Sequence, residues 1–141
     1  MEQTAEELPS LSGVSLLVLD DDPGIVRGLT RVLTGLGAET TGVGSLREAR
    51  LLLETLSPDA VLADLQLKDG TALSLLPDYL VRNPDGAFYI ITGHGSVGNA
   101  VAAIGTVDSQ DAFAAHDQHF RPLHRWAHST GKSWIAAAHG V

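Results

Sequence analysis

Val14-Ser-Leu-Leu-Val-Leu-Asp-Asp-Asp22 is an apolar run of strand length that stops abruptly at three aspartates. Gly13 bounds it on the other side. A short run with almost no polar alternation is the pattern of a strand covered on both faces, as in a parallel sheet. The chain then changes period. Asp22 is a good helix N-cap and Pro23 suits the first helical position. Ile25, Leu29, Val32, Leu33 and Leu36 recur at helical spacing, and Gly37 suits the helix end. An acid-tipped strand followed by a capped helix is the unit from which the rest can be read.

The unit repeats. Residues 38–43 form a second, more polar strand, nearer an edge. Ser45-Leu-Arg-Glu48 is a capping-box pattern that opens a helix with Leu46, Ala49, Leu53 and Leu56 on one face, ended by Ser57-Pro58. Ala60, Val61, Leu62 and Ala63 make a third, buried strand that ends at Asp64. Asp69-Gly70 is a turn, and a leucine-rich helix over 71–81 is kinked or shortened by Pro77. Asn83-Pro-Asp-Gly86 is a loop, and 87–91 is a fourth buried strand leading to Thr92. Ser96 caps a short helix carrying Val97, Val101 and Ile104. Strands alternating with helices in this way predict an α/β, doubly wound parallel sheet with helices on both faces.

From Gly105 the periodicity fades. A fifth strand is expected, with 112–115 or the neighbourhood of Phe120 as its places, and 126–138 reads as a helix interrupted by Gly131. The expected organisation is a flexible lead-in over 1–13, one domain over 14–122, and an atypical helix or tail over 123–141.

Composition narrows the function. The 141 residues include no cysteine, which excludes disulfides, thiolate zinc sites and cysteine nucleophiles. A formal net charge of −8 argues against direct nucleic-acid binding, since phosphates would be repelled. No apolar run is long enough to span a membrane, and the acidic, polar start lacks the pattern of a secretory signal. A cytoplasmic protein is the expectation.

Reactive groups of open parallel sheets collect beyond the carboxyl ends of the strands. Asp20 and Asp21, Asp64 and Thr92 all occupy such ends. Three carboxylates placed together repel one another, and a hard divalent cation removes the conflict. Mg²⁺ suits the oxygen set: Asp21 as main ligand, Asp20 behind it or acting through water, Asp64, and the backbone carbonyl of Gln66. With phosphate charge neutralised in this way, a carboxylate oxygen of Asp64 is placed to attack phosphorus, and the Thr92 hydroxyl to bond a phosphoryl oxygen. Asp22 is read as a helix cap alone.

The motifs Leu16-Leu-Val-Leu-Asp-Asp-Asp22, Val61-Leu-Ala-Asp-Leu-Gln-Leu67 and Tyr89-Ile-Ile-Thr-Gly-His-Gly-Ser96 together resemble the receiver domain of two-component response regulators, of the nitrogen-regulator and redox-regulator type. The resemblance covers residues 14–104 and implies a flavodoxin-like (CheY-like) fold with five parallel strands. It implies a phosphoprotein of phosphorelay signal transduction: Asp64 takes a phosphoryl group from a sensor histidine kinase or a histidine phosphotransfer protein. It also implies self-catalysed dephosphorylation rather than enzyme turnover, and admits a homodimer. By position Asp20 and Asp21 match the acidic pair, Asp64 the phospho-acceptor and Thr92 the switch hydroxyl.

The chain departs from the family's pattern at several points. Lys68 and Ala72 stand where the family usually has Pro and Gly. Ala114 stands where it carries a Lys at the end of the fifth strand, and no Lys occurs between Lys68 and Lys132. Phe120-Arg121-Pro122 loosely resembles the usual aromatic-x-Lys-Pro ending, which makes Arg121 the stand-in cation and leaves Phe113 as the aromatic switch residue.

Two other classes compete. A haloacid-dehalogenase-like phosphatase needs Asp-x-Asp at the first strand, and the first-strand acids here are consecutive. A pseudo-receiver, an interaction module that is not phosphorylated, is favoured by the missing Lys and opposed by the intact acids. His124 and His128 have the spacing of a helical metal pair, but no Glu follows His124, and scattered surface histidines are the simpler reading.

Overall fold

The computed structural model describes residues 10–92 and 133–138. In chain order the elements are β1 (Ser15–Leu19), α1 (Pro23–Gly35), β2 (Glu39–Val43), α2 (Leu46–Leu53), β3 (Ala60–Asp64), β4 (Gln66–Leu67), β5 (Gly70–Thr71), a 3-10 turn (Ala72–Leu75), α3 (Leu76–Arg82), β6 (Ala87–Thr92) and β7 (Ser133–Ala138). The main sheet has the order β2-β1-β3-β6-β7, and β4 and β5 form a separate small ladder.

Four strands are parallel: β1, β3 and β6 carry the buried, unalternating sequences of such a sheet, and the more polar β2 lies at its edge. Successive side chains go to opposite faces. Leu16, Val18, Ala60, Leu62, Ala87 and Tyr89 pack with Leu33 of α1 on one side. Leu17, Leu19, Val61, Ala63, Phe88 and Ile90 pack with Leu46, Ala49 and Leu53 of α2 and with Tyr79 of α3 on the other. Each fully buried Leu or Phe contributes roughly 1.5–3 kcal/mol relative to exposure, so packing on both faces holds the sheet between the helices.

The helix ends follow their sequence signals. The Asp22 carboxylate accepts from the Gly24 and Ile25 amides at 2.9 and 3.4 Å, with Pro23 in the first turn. Gly37 takes a φ of 107°. The Ala38 amide then reaches Leu33 O at 3.1 Å and the Gly37 amide Thr34 O at 3.0 Å, the double bond pattern of a Schellman stop. At α2 the Ser45 hydroxyl accepts from the Glu48 amide at 3.1 Å, while Glu48 returns to the Gly44 amide at 2.9 Å rather than to that of the cap residue itself. Pro77 divides the predicted 71–81 helix: a 3-10 turn precedes it and α3 starts beside it, because the ring cannot donate within an established helix.

Several expectations need correction. Leu11 is no part of a loose lead-in: it is 1% exposed, packs in the α1 face of the core and donates its amide to Leu36 O at 2.7 Å. Val32, placed on the apolar face of α1 by its spacing, is 46% exposed. The helix read over 126–138 is a strand where it can be seen. Ser133–Ala138 is β7, beyond the boundary expected at 122. It closes the sheet as the fifth strand but runs antiparallel to β6, with Thr92 opposite Ser133, Phe88 opposite Ala138 and an irregularity between Phe88 and Tyr89. Alanine-rich Trp134-Ile-Ala-Ala-Ala138 carries no period that separates helix from strand; pairing along β6 decides it. The helix expected over 96–104, the strand places at 112–115 and Phe120, Phe113, Ala114, Arg121 and all six histidines lie outside the described residues.

Candidate functional site: an acidic cluster at the switch point of the sheet

The chain goes from β1 to β2 on one side and then crosses back to β3 on the other, so β1 and β3 are neighbours with connections leaving in opposite directions. That reversal opens a crevice beyond their carboxyl ends. The register carries the acids to it. Leu19 lies opposite Ala63, so the next residues along the two strands, Asp20 and Asp64, emerge side by side. The strands are aligned from their far ends, where Asp59 accepts from the Ser15 amide at 2.8 Å and the Asp59 amide reaches Ser15 O at 2.8 Å.

Asp20, Asp21 and Asp64 each offer a carboxylate oxygen, and these three atoms all lie within 4.8 Å of one another. Asp20 is only 4% exposed, while Asp21 and Asp64 are partly open. Burial pushes the Asp20 carboxyl above the ordinary range. The Asp22 amide, which donates to its Oδ1 at 2.9 Å, opposes that, and the charges of Asp64, Asp21 and Asp22 add to it. Asp21 Oδ2 accepts the Lys68 amide at 3.0 Å. Such a donor set, all oxygen, negatively charged and partly exposed, fits a hard divalent cation that keeps some of its water.

The remaining predicted residues stand as follows. Gln66 opens β4, two residues beyond Asp64, and is exposed. Thr92 ends β6, one residue past the Asp64–Ile91 pair; the position of its hydroxyl falls outside what is described, as does Arg121. Asp22 caps α1, as its position suggested.

Two site features escaped sequence reasoning. One is the Lys68 amide, since a main-chain donor leaves no residue-type signature. The other is Asp69, read as a turn residue, which also accepts from the Leu46 and Arg47 amides at 3.1 and 3.2 Å and so caps α2 from a distant loop. Those amide bonds, that from Leu46 first, hold the Asp69 carboxyl below its usual range.

This topology, with acids at the switch point, defines an α/β protein of flavodoxin-like architecture with its site at the carboxyl ends of the strands, and the comparisons identify the family. A model of the response regulator receiver domain matches residues 16–113, and the chain belongs to that family. The photosynthetic apparatus regulatory protein RegA of Rhodovulum sulfidophilum is 30% identical over 90 residues, covering 64% of this chain and 49% of RegA. The receiver domain of NtrC4 from Aquifex aeolicus superposes with a TM-score of 0.59 at 26% identity, covering 81% of this chain and 97% of that one. The solution structure of the beryllofluoride-activated NtrC4 receiver domain dimer matches over the same shares, at 26% identity and a TM-score of 0.60. The chain spans about half the length of the first curated relatives it matches, 49% and 54%. No helix among the described residues is long and apolar enough to cross a membrane.

Proposed function

We propose that this receiver domain is a phospho-acceptor in a phosphorelay, with Asp64 as the residue modified. The observation that carries the reading is the convergence of three carboxylates within 4.8 Å at the switch point. Asp20, Asp21, Asp64 and the main-chain carbonyl of Gln66 would hold Mg²⁺, which when bound neutralises charge on an incoming phosphoryl group. An Asp64 carboxylate oxygen attacks phosphorus in line. The O–P bond forms as the P–N bond of a phosphohistidine breaks, and the electron pair leaves with the imidazole, which takes up a proton. Asp20 and Asp21 keep the cluster anionic and orient it. The Thr92 hydroxyl donates to a phosphoryl oxygen in the modified state only, which is what lets phosphorylation shift a conformational equilibrium.

A cation completes the charge balance. Arg121 is the candidate from the sequence motif; Lys132 is a second, because it directly precedes Ser133, the residue paired with Thr92. The donor is a sensor histidine kinase or a histidine phosphotransfer protein, met in the cytoplasm. Pairing of two copies is supported by the dimer of the NtrC4 neighbour. The domain turns over no external substrate beyond its own phosphotransfer and dephosphorylation, and its net charge of −8 leaves nucleic-acid contact to another domain or a partner.

Incubation with acetyl phosphate and Mg²⁺, followed by intact mass and hydroxylamine treatment, tests the reading. The expected product is one labile acyl phosphate, absent without Mg²⁺ and absent in Asp64→Asn. A second reading, a pseudo-receiver that binds partners without being phosphorylated, is favoured by Ala114 in place of the family's Lys. It predicts no adduct under any of these conditions.

A further inference from the structure

The hydrogen bond from the Lys68 amide to Asp21 Oδ2, 3.0 Å, joins the turn after β3 to the acidic pair after β1. The family's usual residue at this place, proline, has no amide hydrogen to give. We infer that the main-chain amide of Lys68 is a positioning group for the divalent-cation site: it orients the Asp21 carboxylate and holds it beside Asp20 and Asp64. The inference rests on the reading of this cluster as a cation site.

The turn is built to hold that amide still. Gln66 and Leu67 of β4 pair with Thr71 and Gly70 of β5, leaving Lys68 and Asp69 as a two-residue loop. Asp69, the next residue, is itself fixed by the Leu46 and Arg47 amides at the start of α2. Leu67 is buried in the core beneath the loop. Gly70 takes a φ of 141°, and a Cβ there would meet Leu46 Cδ1 at 3.0 Å, so the turn is pressed onto α2. The amide is therefore held between a buried side chain and a helix terminus, and its target is one carboxylate oxygen. Ligands oriented in advance by such outer hydrogen bonds bind metal more tightly, and losing one commonly costs tenfold or more.

The geometry also supplies a clean test. No non-glycine residue among those described has a positive φ, so Lys68 lies on the negative side of φ, where the proline ring also falls. Lys68→Pro deletes the amide hydrogen and the ammonium; Lys68→Ala deletes the ammonium alone. The ratio of their Mn²⁺ dissociation constants, measured from free Mn²⁺ by electron paramagnetic resonance, reports the amide. The expected result is binding roughly tenfold or more weaker in Lys68→Pro than in Lys68→Ala. Equal affinities would overturn the inference.

A measurement on the wild-type backbone guards against a misfolded proline variant. In ¹H–¹⁵N spectra the Lys68 amide should show the shallow temperature coefficient of a bonded donor, move on Mg²⁺ addition, and lose both properties in Asp21→Ala. A steep coefficient that Asp21→Ala leaves unchanged sinks the proposal on its own. Wild-type protein that binds Mn²⁺ and is phosphorylated while the two Lys68 variants bind alike removes this inference only. Wild-type protein that takes up neither Mn²⁺ nor phosphate removes the reading of the site, and the inference with it.

Discussion

The two sides of this sheet obey different rules. Between β1 and β3 the strands are parallel, in continuous register, buried on both faces and tipped by acids at the same end. At the far side β7 enters from the opposite direction, and its register against β6 is broken near Phe88. In a parallel fifth strand the carboxyl end would face the acidic cluster. Here the residue beside Thr92 is Ser133, the first of β7. The difference teaches that the acidic site depends on the β1–β3 pair, whereas whatever group completes it from the fifth strand must come from that strand's beginning or from the chain before it.

The strongest way to sharpen the comparison is to remove the completing cation. Arg121→Ala and Lys132→Ala, each assayed for acyl phosphate formation from acetyl phosphate, should separate. Removing the residue that supplies the cation should slow formation by about a hundredfold or more, the scale of losing one electrostatic contact to a developing charge, while the other variant stays within about twofold. Equal, small effects from both would break the link between β7 and the site.

Next comes the independence of the two sides. Adjacent amides in a strand point in opposite directions, so Ile135→Pro with Ala136→Pro must remove at least one bond to β6. Stability should fall by on the order of 1–3 kcal/mol, read by thermal melting, while Mn²⁺ affinity stays within about twofold of wild type. A large loss of Mn²⁺ binding would show that the edge strand supports the cluster after all.

A smaller effect is expected at the cluster itself. Asp20 is buried among like charges, and folding disfavours its ionised form. Asp20→Asn keeps an oxygen for the Asp22 amide and should raise the melting temperature of metal-free protein. A relief of about 1 kcal/mol corresponds to roughly 3–5 °C at this chain length. The same variant should lose most of the stabilisation that Mg²⁺ gives wild type. A metal-free melting point lower than wild type would contradict the charge-crowding account.

The smallest effect concerns Asp69, which is open to solvent. Its carboxyl is held below the usual range by the Leu46 and Arg47 amides. Its contribution is thus fully present above the ordinary Asp range, near pH 3.9, and is lost as pH falls through the lowered value. Wild type should exceed Asp69→Asn in melting temperature at neutral pH, and the gap should close in acid. A gap that persists unchanged to low pH would mean that the ionised carboxylate is not what caps α2.

Much of this molecule was legible before any coordinates. The strands β1, β3 and β6, the Asp22 and Ser45 caps, the Gly37 stop and the breaking effect of Pro77 are local effects, each settled within a few neighbouring residues. So was the membership of the acidic set, because strand ends in an alternating α/β chain leave few places for aspartates to go. Other features rest on partners far apart in sequence: the burial of Leu11 under α1, the direction of β7, the reach of Asp69 to α2 and the Lys68 amide on Asp21. Periodicity and residue type carry no record of which remote segment a side chain will meet, and a backbone N–H is the same in every residue but proline. Only the closing of the chain into three dimensions decides those contacts.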